Sequence, residues 1–334
     1  MTVGRAVWPD QLDATERALL SPGLPPNLDR RPDVLVVGGG IVGCATAAAC
    51  VQAGLGSVVL IERDALGAGA SGGAAGLLQP EAHDGVDPPK FVAFMRQSLA
   101  AWRDLHASWP GGVGFVETDW KGHPQGRVNP LRAIARLAAG LPCIATGVTL
   151  TGFSDGVVHT SEGDFHPKTV VFATGNPPPV QSLNVPAFEV RGHMLCSQPT
   201  ALSRPDALID LVTMLEDGRL LMGGTLDVGD AERVVRPEIT ARMWQEIVSA
   251  WPEAATSSIE YAWACFRPAH PDHLPVIDRL PGTDNAWFTS GHYKTGILLA
   301  PATAHALAMW LKTGARPTEV EPFGLARLSQ LKTQ

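Results

Sequence analysis

"DVLVVGGGIVGCATAAACVQAGLGSVVLIER", residues 33–63, decides the architecture. Its first apolar run, 34–37, is apolar on both faces, the pattern of a central parallel strand. Gly38, Gly40 and Gly43 then fit G-x-G-x-x-G. The first glycine makes the tight turn, the second lets backbone approach a pyrophosphate, and the third lets helix pack on strand. An alanine-rich helix is predicted to end at Gly54. A second strand is predicted to end at Glu62, where a carboxylate can accept hydrogen bonds from an adenosine ribose. With strand before, helix after and the acid correctly spaced, the stretch reads as a Rossmann-type dinucleotide site. An acidic residue there suits a free 2′-hydroxyl, hence FAD or NAD rather than NADP.

The adjoining segment separates the two cofactors. "ERDALGAGASGGAAGLLQP" (62–80) is a small-residue loop. A nicotinamide enzyme usually continues into another strand–helix unit, whereas this loop lets backbone lie against something flat and large, as a flavin with its ribityl chain is. On the amino side, residues 1–32 hold a short helix candidate, "DQLDATERALL", and an extended tether, "SPGLPPNLDRRP". We read them as an arm packed on the body, with an oligomer contact as the sharper alternative.

The whole chain sets bounds. It has 334 residues, 45% apolar and 18% charged, with a formal charge of −7. That length can bury a sizeable core, and the charge argues against nucleic acid as a partner. The five cysteines, an odd number without metal spacing, fit reduced thiols in a cytoplasmic protein. No stretch reaches the unbroken apolar length of a membrane span. "DRRPDVLVVGGGIVGC" imitates a lipoprotein signal, but its three glycines and the strand-like run after it speak against a cleaved leader.

Three later segments join the first two: "VVFATG" (170–175), "FRPAHPDHLPVID" (266–278) and "SGHYKTGILLAPATA" (290–304). In this order and approximate spacing, the five resemble the D-amino acid oxidase-like flavoproteins, closest to their glycine oxidase branch. The resemblance implies an α/β fold: a Rossmann-type FAD-binding domain with a second, smaller α+β substrate domain. The expected ranges are 33–90, 126–178 and 263–334 for the FAD domain, and 91–125 and 179–262 for the substrate domain.

It also implies contacts. Ile41 and Val42, with the three glycines, would meet the pyrophosphate, and Glu62 and Arg63 the adenosine. Val148 would meet the adenine. Ala70, Ser71, Ala75, Gly76 and Leu77 would follow the flavin, beside Ala173 and Gly175. Gly291, His292, Thr295, Gly296, Ile297 and Leu298 would close over the isoalloxazine. "GILLAPATAHALAMWL" independently reads as an apolar helix from near Gly296 to just before Gly314. Its positive N-terminus would then stabilise an anionic reduced ring.

Arg267 stands among apolar residues, and a cation there needs an anion. By resemblance it holds the substrate carboxylate, with Lys294 and Tyr293 nearby. The plainer alternative is an arginine paired to a distant acid. Cys265 aligns with the cysteine that holds flavin covalently in related sarcosine oxidases, against the plain reading of a small core residue. No metal site is expected.

Two departures matter. Only "KGHPQ" (121–125) bridges segments between which the family carries several dozen more residues. The family's carboxylate-binding tyrosine is missing, with Met214 near its expected place. The expected activity is FAD-dependent oxidation of a small amino acid: glycine, N-methylglycine or a D-amino acid. The products would be an oxo acid, ammonia and hydrogen peroxide, with oxygen as acceptor. The alternatives are a dehydrogenase feeding a quinone or partner protein, and a flavin-binding subunit of a heteromeric complex. A homo-oligomer is also compatible with the shortened segment.

Overall fold

A computed structural model of the chain describes every residue except 181, 182, 184, 209, 229–231, 233 and 331–334. The arm contributes β1 (Thr2–Val3) and α1 (Ala14–Leu19). The fingerprint forms β2 (Val34–Val37), α2 (Ile41–Gln52) and β3 (Val58–Glu62), as its pattern predicts. Within the small-residue loop lies one helical turn, α3 (Ala70–Gly73), followed by β4 (Leu77–Leu78). Next come α4 (Pro89–Ser108), β5 (Phe115–Trp120), β6 (His123–Val128) and α5 (Pro130–Ala138). They lead to β7 (Ile144–Thr146), β8 (Leu150–Ser154), β9 (Val157–Thr160) and β10 (Thr169–Gly175). The middle of the chain holds β11 (Phe188–Ser197), β12 (Val212–Met214), β13 (Leu220–Gly223), β14 (Asp227–Val228) and α6 (Pro237–Ala250). The last elements are β15 (Ile259–Ala269), β16 (Val276–Arg279), β17 (Ala286–Ser290) and α7 (Gly296–Thr313).

Two larger sheets organise these elements. One has the order β16-β17-β10-β2-β3-β7 and is parallel apart from β16. All four residues of its central β2 are buried, which is why the run could be apolar on both faces. The other, β1-β15-β11-β13-β12, is antiparallel except where β1 joins β15, and β14 also pairs with β11. A third, β4-β6-β5, lies beside them. At "KGHPQ", Lys121 (φ 52°) and Gly122 (φ 83°) make a two-residue hairpin turn. Its tip docks through hydrogen bonds from the Trp120 indole and Lys121 ammonium to Asp210, both 2.7 Å.

The expected domain limits fall inside elements: 90/91 in α4, 125/126 in β6, and 263 in β15. The second-domain range also runs through positions outside the described residues. α4 packs on α7, and α7 on α2. Pro301 lies inside α7 and lacks the N–H that would bond the Ile297 carbonyl. The Trp102 indole of α4 donates to that carbonyl instead, at 3.0 Å. Ser98 Oγ donates to the Leu298 carbonyl (2.6 Å) and accepts from Ala302 N–H (3.2 Å), entering the helix ladder. Among the described residues no helix is long and apolar enough to cross a membrane.

The arm packs on the body. Val7, Trp8, Leu12, Glu16 and Leu20 are buried. Asp13 and Glu16 form a capping box on α1, and the buried Glu16 carboxylate pairs with Arg132 (3.2 Å) and Arg136 (2.9 Å) of α5.

Candidate functional site

One cavity of about 1170 Å³ runs from the β2–α2 turn, along the small-residue loop, to β15 and the start of α7. At the turn, Gly38 has φ 112°, and a Cβ there would overlap the Ala173 carbonyl. "ATG" and "GGG" are therefore pressed backbone to backbone, and Gly38, Gly40, Ala173 and Gly175 all line the cavity. Gly43 does not. A Cβ on it would strike the Gly38 carbonyl, so its job is to let α2 approach the turn.

Ile41 and Val42 begin α2 at the cavity wall, where first-turn N–H groups have no partner within the helix. Ile41 N–H donates to Ser71 Oγ at 3.0 Å, which draws the small-residue loop onto the turn. Glu62 accepts from Gly39 N–H (2.6 Å) and Asp64 N–H (3.0 Å), and each oxygen keeps a lone pair for a further donor. Arg63 lines the wall, paired to Asp64 at the surface (3.1 Å). Val148, whose N–H bonds the Glu62 carbonyl at 2.9 Å, is beside them.

Along the loop, Ala70, Ser71, Ala75, Gly76 and Leu77 all reach the cavity. Gly76 has φ 75°, and a Cβ there would overlap the Val128 carbonyl. At Gly73 a Cβ would overlap the side chain of Cys265. Cys265 lines the cavity and donates its thiol to the Gly73 carbonyl at 3.3 Å, with the Trp263 indole on the same oxygen at 3.0 Å. Burial pushes this thiol above its ordinary pKa, and the Arg267 charge offsets only part of that.

Arg267 projects from β15 into the other end of the cavity. Its Nη1 donates to the Thr225 carbonyl at 2.9 Å, and no carboxylate hydrogen-bonds it among the described residues. The guanidinium crosses the face of Gly192 on β11, where any Cβ would collide with it. Met194, Gly223 and Gly224 complete this wall. Met214 is not part of it. It sits on β12, the outer strand of its sheet, 37% exposed, so the residue expected near the family tyrosine's place lies away from the site.

The distant motifs are stitched together by backbone. Gly291 N–H donates to Gly175 O and Tyr293 N–H to Pro268 O, both 2.8 Å, and Ala269 bridges His292. His292, Tyr293, Lys294, Thr295, Gly296, Ile297 and Leu298 reach the cavity. Gly291 does not: at φ 68°, a Cβ on it would overlap the His270 ring, and it serves packing. Tyr293 adopts φ 48° and stacks on His273, centroids 4.7 Å apart. Burial drives His292 down to about 3, with His270 adding to the shift, so its imidazole is neutral.

Sequence reasoning missed His83. It lines the cavity, with Nδ1 2.5 Å from Asp87. Burial lowers its pKa despite that carboxylate, and the nearby Lys294 charge adds to the lowering. The one advance signal was its place just after the small-residue loop.

The cradle fits FAD. The cavity slightly exceeds the roughly 300–1,000 Å³ usual for small-ligand sites. At one end are a glycine turn, open helix N–H groups and a ribose-suited carboxylate; at the other are the N-terminus of α7 and a cation.

The comparisons agree. Residues 33–122 and 107–310 match the FAD dependent oxidoreductase family, DAO. The chain is 26% identical over 366 residues to a glycine oxidase of Pseudomonas aeruginosa, covering 89% of this chain and 99% of that protein. Its fold is similar to the glycine oxidase of Geobacillus kaustophilus, with TM-score 0.77 and 21% identity over 89% of this chain and 99% of that one. It is equally similar in fold to an L-proline dehydrogenase from P. horikoshii, with TM-score 0.77 and 16% identity over 91% and 99%.

Proposed function

The chain belongs to the FAD-dependent oxidoreductase family DAO, and from that premise we propose that it oxidises a small amino acid: glycine, N-methylglycine or a D-amino acid. It is an FAD-dependent oxidoreductase of the glycine oxidase type. The observation that carries the narrower reading is Arg267, a cation facing the cavity from a glycine platform with no carboxylate hydrogen-bonded to it among the described residues. A guanidinium so placed can take a substrate carboxylate through two parallel hydrogen bonds, which lysine cannot copy.

FAD held in this cradle would supply the two-electron acceptor for oxidation at the substrate α-carbon. The protein's own part is to bind, orient and desolvate. Arg267 fixes the carboxylate. Lys294 adds positive charge at the same end, and Tyr293 shapes the wall while His273 holds its ring. In this reading Glu62 binds the ribose, the turn at Gly38–Val42 binds the diphosphate, and residues 70–77 follow the flavin. Overall, amino acid, water and oxygen become oxo acid, ammonia (methylamine from N-methylglycine) and hydrogen peroxide.

The test is anaerobic mixing with glycine, sarcosine, D-alanine, D-proline, their L-counterparts and amines without a carboxylate, reading loss of flavin absorption. Bleaching by an amino acid, lost in Arg267→Ala, supports the reading. Bleaching only by amines without a carboxylate, or unchanged in Arg267→Ala, sinks it. An oxygen electrode then separates an oxidase from a dehydrogenase that feeds another acceptor.

A further inference from the structure

The family match begins at residue 33, yet the arm before it forms a wall of the cofactor cavity. Ala6, Pro9, Arg17, Leu20 and Ser21 all line it. The arm also grips the small-residue loop at both ends. Leu66 N–H donates to the Leu20 carbonyl at 2.8 Å, and the next residue, Gly67, donates to the Gly39 carbonyl of the fingerprint turn at 2.9 Å. At the far end, the fully buried Trp8 indole donates to the Ala74 carbonyl at 2.8 Å. Between these points Ser71 holds Ile41 N–H. Arm, loop and turn are thus one hydrogen-bonded layer.

We propose that residues 1–32 are part of the FAD site and that Arg17 supplies positive charge to the FAD diphosphate. The neighbouring Glu16 is anchored to α5, so α1 cannot rotate freely. Arg17 Nη1 donates to the carbonyls of Leu12 (2.5 Å) and Pro9 (3.3 Å), while its Nε and Nη2 have no further hydrogen-bond partner among the described residues. The other cavity arginines at this end are engaged: Arg5 with Asp10 (2.7 Å) and Arg63 with Asp64 (3.1 Å). Arg267 and Lys294 lie at the opposite end. A diphosphate at the fingerprint turn carries two negative charges, and a guanidinium fork with two idle donors suits phosphate oxygens. The same arm supplies covering wall in a chain whose substrate side is shortened.

The experiment compares the deflavinated full-length protein with Arg17→Ala and Arg17→Lys, titrating FAD and riboflavin by flavin fluorescence at two salt concentrations. The FAD Kd rises about tenfold in Arg17→Ala, its salt dependence flattens, lysine restores part of the affinity, and riboflavin binding is unchanged. An unchanged FAD Kd overturns the proposal. So does equal weakening of FAD and riboflavin, which would make Arg17 packing only. If the alanine variant fails to fold, Arg17→Gln keeps an amide donor for Leu12 and Pro9 without the charge and is read the same way.

Discussion

Gly192→Ala tests the substrate clamp without removing any charged group. Glycine at 192 is required because Arg267 lies across it: an alanine Cβ would sit 2.5 Å from Arg267 Cζ and closer still to the two Nη atoms, against 3.4–4 Å for ordinary contact. The guanidinium must therefore retreat by roughly 1 Å, a displacement that can cost about 10²-fold when it misplaces a reacting group. Loss of one charge-assisted hydrogen bond, about 1.5–3 kcal/mol, gives a similar range. We expect kcat/KM for the best amino acid to fall roughly 10–100-fold, mostly through KM. Flavin content and FAD affinity should stay normal, because residue 192 does not line the cavity. The assay is steady-state turnover together with anaerobic bleaching across substrate concentration. Wild-type kinetics in Gly192→Ala would refute the placement of Arg267 as the carboxylate clamp. Loss of flavin would show that strand β11 carries the cofactor instead.

Three further outcomes are expected. Burial lowers the pKa values of His83, His193, His270 and His292, the last to about 3. Because the unfolded chain binds these protons first, stability is full above about pH 6.5 and declines as pH falls toward 3, by up to about 1.4 kcal/mol per pH unit for His292. A urea midpoint unchanged between pH 7.5 and 5 would contradict this. Ser98→Ala leaves the Ala302 N–H and Leu298 carbonyl beside Pro301 without their bridge and should cost about 1–3 kcal/mol; denaturant unfolding checks it, and a cost under about 0.5 kcal/mol would show that the ladder closes without the hydroxyl. Acid precipitation should give a colourless pellet and a yellow supernatant, since the partly buried Cys265 thiol has a raised pKa and is turned to the Gly73 carbonyl. A yellow pellet would establish a covalent link.

The sequence alone determined the cofactor half, because its signals are local. Alternation of strand and helix, a glycine turn and an acid at fixed distance are all written within thirty residues. The apolar run ending at Gly314 likewise set α7, which stops there with glycine at φ 74°. Individual glycines were less legible: Gly43 and Gly291 belong to the motifs, but their missing Cβ atoms make room for protein, not ligand. The other end of the cavity was decided by tertiary structure. Met214 could be aligned to a site position, yet the pairing of β12 with β13 puts it on an outer strand. Gly192 lies seventy-five residues before Arg267, and only the antiparallel register of β11 on β15 lays one across the other. The arm joined the cavity through long-range backbone hydrogen bonds and packing, and His83 through the packing of its turn on α4, neither of which leaves a periodic trace. A residue's own neighbours set local conformation, but which side chains share a cavity depends on sheet register, and register is settled only when the whole core packs.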